Sequence, residues 1–350
     1  MRALGIAQRL LRLWYKQTFA VALLPLLPVS WLFYLLVWLR QTAYRYGTIR
    51  SHCLPVPVII VGNLTVGGSG KTPLVLWLTE HLRKAGKRPG IISRGYGGLA
   101  EGVQAVTANT TSSMVGDEPL LLAQRSGVPV FIGSDRVAAG RALLAAHGDC
   151  DVIVSDDGLQ HYRLQRLIEI AVFDKRGAGN ARLMPAGPLR EPLQRLATAT
   201  AIVWNSTGDT QSTLDHRLAS LPQFAMHLTG QRFTSLTNPD QHCNADDLRN
   251  KRLYAIAGIG NPSRFFSQLE SLGLRFEAHP FPDHHSYRQA DLAFAKDGVL
   301  LMTEKDAVKC KAIVTQEAWT LPVDAKINNA SDGSSLLNLI LEKLDGPAPA

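Results

Sequence analysis

Val58-Ile59-Ile60-Val61-Gly62-Asn63-Leu64-Thr65-Val66-Gly67-Gly68-Ser69-Gly70-Lys71-Thr72-Pro73 is the stretch on which the reading of this chain turns. Four β-branched residues predict a buried strand. The glycine-rich run after them ends where Pro73 can open a helix at no cost in hydrogen bonds, because first-turn N–H groups have no intrahelical partner. Glycines let backbone N–H groups curl around phosphate oxygens, and the helix N-terminus adds partial positive charge. Lys71 is spaced to reach β- and γ-phosphates, and the Thr72 hydroxyl to ligate Mg²⁺. Thr65, Val66, Gly67, Gly68, Ser69, Gly70, Lys71 and Thr72 are therefore the candidate cradle for a nucleoside triphosphate. The run departs from GxxxxGK[ST] at one place, with Thr65 where the first glycine would stand.

Outward from this loop, short apolar runs alternate with helical stretches. Strands are expected at Val58–Val61, Gly90–Ser93, Val130–Ile132, Val152–Ser155, Ile170–Phe173 and Ala201–Trp204, with helices at Pro73–Ala85, Pro119–Arg125 and Arg136–His147. The strand runs are apolar on both faces, as in a parallel sheet covered on both sides. The pattern predicts an α/β fold, a P-loop NTPase-like doubly wound parallel sheet. The polar stretch Asn205–Ser220 marks a boundary. A second, smaller α/β domain is expected beyond it, with strands near Leu253–Ala257 and Val299–Thr303 and a last helix at Ser335–Leu344. The expected division is 1–50, 51–210 and 211–350.

Residues 1–50 hold seven of the 37 basic residues and none of the 29 acidic ones, so the remaining 300 residues are nearly neutral. That distribution excludes a basic body built to wrap nucleic acid. Between Lys16 and Arg40 lie 23 uncharged residues, which as a helix would run roughly 34 Å, enough for a bilayer core. Pro25 and Pro28 interrupt the run and basic residues flank both ends. A broken or tilted helix inserted from the cytosolic leaflet is expected, its flanks on anionic head groups. Cys53, Cys150, Cys243 and Cys310 show no metal or disulfide spacing, which fits a reducing compartment.

Val152-Ile153-Val154-Ser155-Asp156-Asp157-Gly158 is an apolar strand ending in paired carboxylates, where a phosphate-loop protein places the acids on the Mg²⁺ side. Asp117, before an apolar helix, is either an N-cap or a base accepting a proton from an attacking hydroxyl, and spacing does not separate the two. Phe281-Pro282-Asp283-His284-His285 is the other dense polar cluster; no third ligand is spaced to complete a zinc site. Ser93-Arg94-Gly95-Tyr96-Gly97-Gly98 leaves the end of a strand, where ligands bind in open α/β sheets. Gly187-Pro188-Leu189-Arg190-Glu191-Pro192 is a second candidate substrate loop.

Taken together and in this order, the phosphate loop, Ser93-Arg94-Gly95-Tyr96-Gly97, Gly116-Asp117-Glu118-Pro119, Ser155-Asp156-Asp157-Gly158-Leu159-Gln160-His161, Gly187-Pro188-Leu189-Arg190-Glu191, Phe281-Pro282-Asp283-His284-His285 and Thr303-Glu304-Lys305-Asp306-Ala307 resemble the tetraacyldisaccharide 4'-kinase family, the lipid A kinases of Gram-negative bacteria. Thr65 resembles the family's own departure from the loop pattern. The resemblance implies transfer of the γ-phosphate of ATP to the 4'-hydroxyl of a tetraacylated glucosamine disaccharide 1-phosphate, with Mg²⁺, at the cytoplasmic face of the bacterial inner membrane. It implies Asp117 as base with His284 or His285 as partner, Lys71 on the phosphates, Thr72, Asp156, Asp157 and Glu191 on the metal side, and Arg94, Tyr96 and Arg190 at the lipid head group. It points to the membrane surface and an acylated lipid as partners, with no nucleic acid and no obligatory protein partner evident. The competing class is a membrane-associated switch ATPase or GTPase; the chain shows no Asn-Lys-x-Asp guanine-reading motif.

Overall fold

The computed structural model describes residues 9–16, 20–205, 221–330 and 333–346. After a short helical stretch at 9–14, the chain runs through a 3-10 turn, Val21–Leu26, that contains Pro25, and then α1, Leu27–Arg45, with Pro28 in its first turn. Pro28 thus falls where a missing N–H costs little, whereas Pro25 lies inside the 3-10 turn, and the expected break sits between the two segments. Together they form a 25-residue helical stretch, long and apolar enough to cross a membrane and mostly exposed. Trp31, Leu32, Leu35, Leu36 and Trp38 all face outward.

Then come β1 Val58–Gly62, α2 Lys71–Lys84, β2 Pro89–Ser93, β3 Gln104–Ala105, α3 Asp117–Ser126, β4 Val130–Ile132, α4 Arg136–Ala146, β5 Val152–Asp156, β6 Ile168–Asp174, β7 Ala201–Asn205 and β8 Gln223–Thr229. The chain continues through β9 Arg232–Ser235, β10 His242–Asn244, β11 Leu253–Ala257, α5 Pro262–Ser271, β12 Glu277–Pro280, β13 Val299–Thr303, α6 Glu304–Cys310, β14 Ala318–Leu321, β15 Asp324–Ile327 and α7 Leu336–Asp345.

Among the described residues, nine strands form the larger sheet in the order β15-β8-β7-β6-β1-β5-β2-β4-β3. It is parallel from β8 to β4 and antiparallel at its two edges. Alternation along β1 sorts side chains between two cores. Val58 and Ile60 join Leu143 of α4 on one face, while Ile59 and Val61 join Leu74 and Leu78 of α2 on the other. A smaller sheet, β10-β9-β14-β13-β11-β12, is built the same way. Leu253 and Ala255 pack on α5, and Tyr254 and Ile256 turn to the opposite face.

The sheets do not divide at residue 210 as expected. β8 lies beyond that point yet pairs parallel to β7, and the chain returns with β15 beside β8. Leu336 and Ile340 of α7 then pack into the core beneath β1. Only the span from β9 to β14 makes up the smaller sheet. Because β8 and β15 both precede or follow polar loops, nothing local in their sequence assigns them to the first sheet; the pairing is tertiary.

Candidate active site

The loop after β1 leaves the C-terminal edge of the sheet. There the register sets Val61 beside Asp156 of β5 and Ile92 beside Ser155. Gly67 and Gly70 take left-handed backbone conformations at φ +106° and +92°. Asn63 organises the loop: its amide donates to the Thr65 carbonyl at 2.8 Å and the Gly67 carbonyl at 3.2 Å, and its Oδ1 accepts from Lys71 Nζ at 3.3 Å. Asn205, at the end of β7, donates to the Ser69 carbonyl at 2.8 Å. The segment before Glu191 clamps the other side, with Val66 N–H donating to the Pro188 carbonyl and Arg190 N–H to the Leu64 carbonyl. Thr65 is buried and bridges Leu189, whereas Gly68 is exposed with open space where a side chain would stand.

Lys71 Nζ lies 3.5 Å from Asp157, and Arg190 Nη1 lies 3.2 Å from the same carboxylate. Burial would raise the Asp157 proton affinity, but the two cations outweigh it and hold the carboxyl below its ordinary value. Asp156 behaves oppositely. It is fully buried, accepts only from Ser93 Oγ at 3.3 Å, and is pushed up to about 7 by burial and by the charge of Glu118. Its Oδ1 and the hydroxyls of Ser69 and Ser155 are buried without a hydrogen-bond partner. Thr72, second residue of α2, stands half-buried beside Lys71. Orphaned hard oxygen donors at a phosphate loop suit Mg²⁺. Among the described residues no group of three His, Cys, Asp or Glu side chains could hold a metal alone, and Mg²⁺ at such sites completes its shell with phosphate oxygens and water.

Asp117 stands across the site at the start of α3. The N-cap position belongs to Gly116, and no side-chain capping bond forms. The buried carboxylate is turned instead to the second sheet, its Oδ2 lying 3.3 Å from Nδ1 of His284. His284 lies on the loop after β12 with φ +59°. His285 is not the partner; its ring pairs with Asp291 at 3.2 Å. Lys305 of α6 bridges the units, 3.0 Å from Glu118 and 3.3 Å from Asp283. Arg94 and Tyr96 are exposed and line an open cleft of about 430 Å³, and the Tyr96 ring meets His284 edge-on at 5.4 Å. Arg190, expected at the lipid head group, is committed to Asp157 here.

Glu191, expected with the metal-side acids, is tied to the body through one carboxylate oxygen, while its Oε2 is buried without a hydrogen-bond partner. Its buried Oε1 accepts from the Tyr162 hydroxyl at 2.6 Å and from Gln41 of α1 at 3.3 Å, and burial raises its proton affinity. The sequence reading also passed over Asn63, Ser93, Asn205 and Lys305. Asn63 lay inside the quoted motif, where its conformational role was the available signal. Ser93 and Lys305 also stand inside quoted motifs, but their partners, like that of Asn205, are brought to them only by folding.

A family model described as tetraacyldisaccharide-1-P 4'-kinase matches residues 22–344. The chain belongs to the tetraacyldisaccharide 4'-kinase family. It is 52% identical to the tetraacyldisaccharide 4'-kinase of Dechloromonas aromatica over 97% of this chain and 98% of that protein. To that of Azoarcus sp. strain BH72 it is 51% identical over 93% of each. LpxK from Aquifex aeolicus, solved in complex with ATP, superposes with a TM-score of 0.78 at 31% identity, covering 93% of this chain and all of that one. The expected fold class and the kinase function thus stand.

Proposed function

We propose that this chain works at the cytoplasmic face of the bacterial inner membrane, moving the γ-phosphate of ATP to the 4'-hydroxyl of tetraacyldisaccharide 1-phosphate with the residues assigned here. One observation carries the assignment: Asp156 and Asp157 stand with Lys71 at the phosphate loop, and Asp117, at the start of α3, meets His284 of the second unit. The loop N–H groups and Lys71 hold the β- and γ-phosphates. Thr72 with Asp156 and Asp157 would hold Mg²⁺, which when bound neutralises charge on the phosphate oxygens. Asp117, oriented by His284, takes the proton of the 4'-hydroxyl as that oxygen bonds to the γ-phosphorus. The bond from the γ-phosphorus to its bridging oxygen breaks and ADP leaves. Arg94 and Tyr96, exposed in the adjoining cleft, receive the sugar head group.

Support for the membrane setting comes from the exposed apolar stretch Val21–Arg45, since a substrate with four acyl chains stays in the bilayer while ATP stays in water. The test is transfer of label from γ-labelled ATP, with Mg²⁺, into detergent-dispersed tetraacyldisaccharide 1-phosphate. Label should enter the lipid and Lys71→Ala should abolish it. A folded, ATP-binding chain that leaves the lipid unlabelled would overturn the assignment.

A further inference from the structure

The geometry points to Lys309 as a positioning residue for this transfer: a buried ammonium from the second unit that faces the Asp117 carboxylate and keeps it aimed at the acceptor. This rests on the Asp117–His284 reading above and adds a third member to it. Lys309 lies on α6 with its side chain 7% exposed, and its Nζ is wholly buried. It stands 3.1 Å from Asp306 Oδ1, 3.6 Å from Asp117 Oδ2 and 5.1 Å from the centre of the Tyr287 ring. Neither carboxylate contact has hydrogen-bond geometry, so the ammonium acts by charge.

The anchor is rigid. Asp306 is fully buried and accepts from the Gly258 N–H at 3.0 Å, the Thr303 hydroxyl at 2.6 Å and the Tyr287 hydroxyl at 3.0 Å. Held in place by those three donors, Asp306 fixes where Lys309 can stand. Asp117 is the second carboxylate in reach, and it uses the same Oδ2 toward Lys309 that it uses toward His284. Taking a cation away from beside a buried carboxylate favours the protonated form, which cannot accept a proton. The other charged or titratable groups around Asp117 are its neighbour Glu118, Lys305 and Cys310 of α6, and Tyr287 of the loop after β12. Lys305 is engaged by Glu118, Asp283 and Nε2 of His284 and feels Asp117 only at longer range, so Lys309 is the cation nearest the Asp117 carboxylate among the described residues.

The test is the pH dependence of kcat for lipid phosphorylation in the full chain at saturating ATP. Lys309→Met keeps the aliphatic stem over Tyr287. It should lower kcat about 10-fold or more and move the acidic limb of the profile upward by about one unit or more, because Asp117 then protonates at higher pH. ATP KM should be unchanged, and Lys309→Arg should restore most of the rate and the position of the limb. Should Lys309→Met fail to fold, Lys309→Gln carries the same comparison. In an Asp117→Asn background, Lys309→Met should cost almost nothing further. A wild-type pH profile in the Met and Gln variants, or the same fold-loss with and without Asp117, would overturn the role of Lys309. Wild-type kcat in Asp117→Asn itself would instead overturn the Asp117–His284 reading.

Discussion

At the scale of single residues, Asp156 and Asp157 show how neighbours in sequence acquire opposite proton affinities. Asp157 sits between Lys71 and Arg190 and stays ionised; Asp156, buried one residue earlier at the end of β5, is pushed up to about 7. In the nucleotide-free protein the native state therefore holds a proton that the unfolded chain, with an ordinary value of 3.8, releases. The stability this proton contributes is present below pH 4 and is lost as pH rises through about 7. Asp156→Asn should accordingly raise the melting temperature at pH 8 and have a shrinking effect toward pH 4; a difference independent of pH would contradict the burial argument. Gly70 offers a second check. At φ +92° an added Cβ would stand 2.0 Å from the Asn205 amide. Gly70→Ala should cost about 1–3 kcal/mol by denaturant titration and weaken ATP binding, and an unchanged midpoint would contradict it. Lys71 and Thr72 were legible because glycine spacing and a following helix carry the signal locally. Asn63 and Lys309 were not, since their meaning lies in what folding places beside them.

At the scale of elements, the N-terminal helix combines an exposed apolar surface with a few specific ties to the body. Ser30 Oγ donates to the Leu183 carbonyl at 2.8 Å, and Gln41 reaches both Tyr162 and Glu191. Its length and apolar character could be read from composition, and the break from Pro25 and Pro28. Its docking could not, because single polar residues on an apolar helix carry no sequence signal of their partners. Leu32 and Leu36 are more than half exposed, so replacing both by Asp removes no packing from the body. In a bilayer each Asp near the helix centre costs about 2.5–3.5 kcal/mol. The double variant should keep the wild-type melting temperature in detergent-free buffer yet lose flotation with anionic vesicles. Equal flotation of the two proteins would contradict insertion of this face.

At the scale of the whole molecule, the candidate active site lies at a seam between two sheets joined by more than a linker. Asp117 and Glu118 on one side meet His284, Lys305 and Lys309 on the other, and Arg125 of α3 pairs with both Glu304 and Asp324. The parallel core of each sheet was legible from apolar runs, and β11 and β13 fall where expected. The return of β15 and α7 to the first sheet was not, because edge pairing depends on which strand end is left open. A fragment of residues 51–230 would expose β8 as an edge and lose Leu336 and Ile340 from the core. It should lack a cooperative thermal transition, and a sharp one would contradict the shared architecture. The most direct test of the seam as the catalytic centre is single-turnover transfer from γ-labelled ATP to tetraacyldisaccharide 1-phosphate, comparing wild type with Asp117→Asn while ATP affinity is measured by calorimetry. The account predicts transfer slowed by about 10²–10⁴-fold with ATP affinity unchanged. Wild-type transfer, or a loss of ATP binding equal to the loss of rate, would contradict it.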